Sequence, residues 1–142
     1  MDDPYNLRRF LDAQDGVFES ALVEIRAGSK RSHWMWFVFP QIAGLGRSPT
    51  ARYYAIGSLD EARAYLAHLV LGARLRESVD SLLLWAGRRN PEQIFGPLDA
   101  LKLRSSLTLF DHVEPGGRFA HALDSFFDIR DDRTLALLNA RQ

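Results

Sequence analysis

Residues 97–112 read PLDALKLRSSLTLFDH, an uninterrupted run between a proline and the chain-breaking EPGG of residues 114–117. On a wheel at about 100° per residue, Leu98, Leu101 and Leu109 fill one side, while Leu103, Leu107 and Phe110 fill much of the other. Only Ala100, Arg104 and Asp111 share a plainly solvent-like arc. A surface helix carries one apolar stripe, so a helix apolar on two sides is expected to be buried over most of its circumference. The rest of the chain is therefore expected to wrap around residues 97–112.

The flanking sequence supplies more helices. Asp3-Pro4 gives an N-cap and a proline at the first helical position, ahead of Leu7, Phe10 and Leu11. Asp15 opens a second helix through Phe18, Ala21, Leu22 and Ile25, and Gly28 closes it. Ser48-Pro49 repeats the cap and proline before ARYYAI, and Ser58 with Glu61 forms a capping box over LDEARAYLA. VLGARLRESVDSLLLWAG sets Leu71, Leu75, Val79, Leu82 and Leu83 on one stripe, closed by Gly87. Asn90-Pro91 caps a turn ending at Gly96, and GRFAHALDSFF and DDRTLALLNAR complete the set. The strand-like run WMWFVF finds no partner strand elsewhere. The expected fold is all-α, a compact multihelical single domain over residues 1–142.

Composition narrows the function classes. A chain of 142 residues, 46% hydrophobic, fits one globular core. Its net charge of zero offers a phosphate backbone little attraction, so nucleic acid is not an expected partner. Without cysteine there is no disulfide, thiolate zinc site or cysteine nucleophile. The histidines lack ligand spacing, so neither a metal nor a cofactor is expected. MDDPYNLRRF is no secretory signal and no apolar run reaches about 18 residues, so a cytoplasmic protein with no membrane partner is expected.

Between the two apolar sides of residues 97–112 lies a polar wedge of Asp99, Lys102 and Ser106, with Ser105 among the leucines. Burying an unpaired ammonium is too costly, so Lys102 needs an anion. That anion is either Asp99, three residues earlier, or a ligand's carboxylate or phosphate met by Lys102, Ser105 and Ser106. Lysine is scarce here, with Lys30 and Lys102 set against sixteen arginines, so each marks a place where a compact ammonium suits better than a planar fork.

Lys30 opens the second notable stretch, KRSHWMWFVFPQ, which also holds Arg31, His33, Trp34, Trp36 and Gln41. Ser32 is positioned to cap a short helix beginning at His33. Trp34, Phe37 and Val38 would share one face of that helix, so both tryptophans do not fit one core face and at least one lines a cleft. Next, Gly44 and Gly46 permit positive φ, and Ser48-Pro49 starts a helix whose first amides face that loop. Such a loop receives anions. It lacks the third glycine of a dinucleotide fingerprint and the lysine of a Walker loop.

Taken together, KRSHWMWFVFPQ, GLGRS followed by ARYYAI, LVLGARLRES and IFGPLDALKLRSSLTLF resemble, nearly end to end, an uncharacterised bacterial family loosely labelled calpastatin. The label does not suit this chain, since that inhibitor is long and disordered. The resemblance implies a compact all-α domain and carries no activity with it.

Two functions are expected from these residues. The first is a small-molecule site, enzymatic or not, for an anionic nucleotide- or ADP-ribose-like ligand. There Lys30, Arg31 and Lys102 neutralise charge, Trp34 and Trp36 stack, and Gln41, Gly44, Gly46, Ser48, Ser105 and Ser106 donate hydrogen bonds. His33 or Asp99 would serve as base in any reaction. The second is a non-catalytic interaction module with an exposed patch of Trp34, Met35 and Trp36. The first requires residues 30–48 and 99–106 to meet in space.

Overall fold

Sequence punctuation becomes ten helices among residues 2–140, the residues that the computed structural model describes. They are α1 (Arg8–Gln14), α2 (Phe18–Arg26), α3 (Met35–Val38), α4 (Pro49–Tyr53), α5 (Leu59–Ala67), α6 (Leu69–Leu83), α7 (Pro91–Phe95), α8 (Pro97–Val113), α9 (Arg118–Phe126) and α10 (Asp132–Ala140). The fold is all-α. The caps act as expected: Ser48 and Ser58 each accept a hydrogen bond from the amide three residues on, at 3.1 Å, and Asn90 and Gln93 form a reciprocal box at 2.8 Å. Gly96, at φ +83°, both ends α7 and starts α8, a conformation a side chain would strain.

α8 is the axis of the molecule. It packs against α5, α7, α9 and α10, while α6 packs against α2, α5 and α9. Leu103, Leu107, Leu109 and Phe110 of α8 are all buried, each contributing about 1.5–3 kcal/mol relative to an exposed position. They belong to one continuous core in which Phe10, Tyr65, Phe110 and Phe119 follow one another at centroid distances of 5.0, 5.5 and 5.7 Å. The first turn departs from the wheel: Leu98 and Leu101 are 73% and 56% exposed, while Ala100 is buried. A wheel ranks arcs by composition, whereas burial depends on which arc the neighbours cover.

The N-terminal region is stapled by Arg9. Its guanidinium donates to the carbonyls of Tyr5, Asn6, Tyr53 and Ala55 and to Glu61, at 2.6–2.9 Å. Glu61 also accepts from the Gly57 amide at 3.0 Å, so the expected capping-box glutamate reaches Gly57 and Arg9 rather than the Ser58 amide. Asp3 accepts from the Leu7 and Arg8 amides, yet α1 begins only at Arg8, after Asn6 takes a φ of +52°. WMWFVF forms the single turn α3, and the nearest approach to a sheet is an isolated bridge between Ile42 and Ile56. No helix of the described residues is long and apolar enough to cross a membrane.

Candidate functional site

The segment before α3 is held by Glu24, on the last turn of α2. Its carboxylate accepts from the amides of Arg31 (2.7 Å) and Ser32 (3.0 Å), the Ser32 hydroxyl (2.5 Å) and the Trp34 indole (3.0 Å). Burial opposes its ionisation, but these four donors outweigh burial and hold the carboxyl at about 2. The Ser32 hydroxyl is thus taken, and the short helix starts at Met35 with no side-chain cap, which corrects the expectation of a Ser32-capped helix from His33. The Lys30 amide donates to the Ile94 carbonyl at 2.7 Å, tying this segment to the end of α7.

With its backbone fixed, Lys30 directs its ammonium at Asp99 on the first turn of α8. Lys30 Nζ lies 2.8 Å from one Asp99 oxygen, and Lys102 Nζ lies 3.0 Å from the other. The two lysine-bearing segments therefore meet. Each ammonium also sits 5.0 Å from an indole centroid, Lys30 over Trp34 and Lys102 over Trp36. Burial again works against the Asp99 carboxylate, but Lys30 and then Lys102 hold it below the usual carboxylate range. Its place in the first turn of a helix favours the anion as well.

This triad borders a cavity of about 340 Å³. Its polar lining is Lys30, His33, Asp99 and Lys102; Met35, Trp36, Phe95, Pro97 and Leu98 make the apolar wall. Two ammonium groups share one carboxylate, which leaves one surplus positive charge beside an apolar surface. Lys102 also lines a second cavity of about 280 Å³, with Gln41, Gly46, Ser105, Arg104, Asp131 and Arg133 among its residues.

The remaining expected residues fall elsewhere. Trp34 is fully buried, so it lies in the core beneath Lys30 and is not a cleft wall. Arg31 is exposed and outside both cavities, contributing its backbone to the Glu24 cradle. Gly44 and Ser48 line neither cavity; the Ser48 hydroxyl is occupied by the Ala51 amide, and α4 is only five residues long. Ser106 is sealed inside, with its hydroxyl unpartnered among the described residues. Ser105 meets the Thr134 hydroxyl at 2.8 Å, joining α8 to α10.

Glu24, Arg104 and Arg133 escaped the sequence reading. Glu24 looks like any exposed helix glutamate, since its partners are backbone groups seven and eight residues away and a ring ten away. Arg133 lies in DDR, which reads as an ordinary helix start.

Fold and cavity together define a small all-helical protein with a paired-lysine, indole-walled pocket. The chain belongs to the family described as Protein of unknown function (DUF1810), whose model matches residues 4–138. Among solved structures it is similar to the crystal structure of the conserved hypothetical protein Rv1873 from Mycobacterium tuberculosis. The two are 49% identical, with a TM-score of 0.93 over 96% of this chain and 99% of that one. No curated protein matches the chain.

Proposed function

We propose that the protein binds an anionic small molecule, of nucleotide or ADP-ribose-like type, in the cavity bordered by Lys30, Asp99 and Lys102. The observation that carries this reading is the triad itself: two ammonium groups on a single carboxylate, each against an indole, at the edge of an apolar hollow. A unit charge about 4 Å away, at an effective dielectric near 20, is worth about 4 kcal/mol before desolvation. The apolar wall adds to that when a ligand covers it, including Leu98 at its rim. The cavity's size, about 340 Å³, falls at the small end of ligand pockets.

In a reaction at this site the proton would move through His33, which is exposed at the rim. Asp99 is less suited to that role, because both its oxygens are committed to lysines and it is held ionised. It serves better as the counter-ion that spaces the two ammonium groups. The alternative, an interaction module built on an exposed tryptophan patch, has less support: Trp34 is buried and Trp36 is half-buried in a concavity.

Thermal melts with a panel of nucleotides and other anionic metabolites test the proposal. A ligand at 100 times its Kd adds about 2.7 kcal/mol, which for 142 residues raises Tm by about 9 °C. Lys102→Ala should abolish the shift. If no anion moves the melt, or the shift survives in that variant, the proposal fails.

A further inference from the structure

The second cavity carries an inference that rests on the reading just given. Lys102 lines both hollows, so the two are neighbours across one side chain. Together they hold four cations, Lys30, Lys102, Arg104 and Arg133, against two carboxylates, Asp99 and Asp131. The pair of cavities is thus two charges positive in a chain whose net charge is zero.

The polar groups of the second cavity differ in how far they are already used. Asp131 accepts from the Thr134 amide and hydroxyl at the start of α10, and an Arg104 nitrogen approaches it at 3.5 Å. The Ser105 hydroxyl is engaged by Thr134. Arg104 lines this cavity and keeps a buried Nε–H with no acceptor among the described residues. Arg133 is exposed at the cavity mouth. A guanidinium fork fits the paired oxygens of a phosphate, whereas an ammonium acts as a point charge between two of them.

We infer that the second cavity is an anion subsite continuous with the first, and that the ligand class is a nucleoside carrying a chain of two or more phosphates. The nucleoside lies along the Trp36 and Phe95 wall, the first phosphate meets Lys102, and the next meets Arg133 and Arg104. A mononucleotide would fill the first cavity alone.

Calorimetric titration of the full chain with AMP and ADP at one fixed salt concentration tests this, repeated with Arg133→Ala. ADP should bind at least about tenfold more tightly than AMP. Arg133→Ala should weaken ADP by about tenfold and leave AMP within about twofold, because Arg133 lines the second cavity and not the first. Arg133 is exposed, so the variant should keep the wild-type melt. Equal affinity for AMP and ADP, or an equal loss of both in Arg133→Ala, would overturn the second subsite while leaving the first-cavity reading intact. Binding of neither nucleotide overturns the nucleoside-phosphate ligand class and the second subsite, and leaves the first-cavity reading to the wider anion panel.

Discussion

Glu24→Gln isolates the charge that organises the lysine segment. Glutamine keeps the shape: its carbonyl can take the three donors now on one carboxylate oxygen, and its amide can donate to the Ser32 hydroxyl. Only the charge is lost. The carboxyl lies at about 2 against an ordinary value of 4.5, which by linkage amounts to about 3 kcal/mol of folding free energy. Glu24 is only half-buried, and solvent screening brings this to about 2 kcal/mol. Because the folded value is depressed, the contribution is complete above about pH 4.5 and fades as pH falls toward 2. Urea unfolding of both proteins at pH 7 and pH 3 separates Glu24 from every other titrating group, since those cancel in the difference. The variant should be less stable by about 2 kcal/mol at pH 7 and by under about 1 kcal/mol at pH 3. A difference that stays constant between the two pH values, or is absent at pH 7, would refute the idea that a charged Glu24 holds residues 31–34.

Arg9→Ala leaves Glu61 buried without its counter-ion and removes the side-chain donor from the Tyr5, Tyr53 and Ala55 carbonyls, while the Asn6 carbonyl keeps the Arg9 amide, so urea unfolding should show a loss of about 3–5 kcal/mol; a loss below about 1 kcal/mol would mean the staple is dispensable. At Gly72→Ala two effects compete. Helix propensity favours alanine by about 1 kcal/mol, but the new Cβ would stand 2.0 Å from the Leu66 carbonyl oxygen, so the clash should win and lower Tm. Asp99→Asn removes the anion between the lysines while keeping its shape. Anion affinity should rise several-fold and stability should fall, whereas reduced affinity would show that Asp99 positions the ligand rather than restraining the cations.

Much of this molecule is legible in its sequence because helix ends are local events. Ser48, Ser58, Asn90 and Gly96 act on amides or turns within a few residues, so their effect can be read without a fold. The Lys102–Asp99 pair was legible for another reason: a lysine set into an apolar helix demands an anion, and Asp99 stands three residues earlier. That Lys30 reaches the same carboxylate from far along the chain was not legible. What stayed hidden depends on distance along the chain. Arg9 and Glu61 are fifty-two residues apart. The exposure of Leu98 and Leu101 depends on which neighbours reach the first turn of α8. A four-residue helix such as α3 is too short for periodicity to tell Trp34 from Trp36, so only packing reveals that one is core and the other wall.

The chain's only two lysines both lie in the first cavity. Succinimidyl dyes, aldehyde fixatives and carboxymethyl-dextran sensor chips all react at ε-amines, and here those amines belong to the pocket. A protein tethered or labelled through either lysine rather than its α-amine would have its own pocket blocked and would read as inert whatever it binds. The same scarcity is useful to spectroscopy. Reductive ¹³C-methylation would plant reporter methyls at Lys30 and Lys102, and any guest entering the hollow should move resonances that no other side chain can crowd.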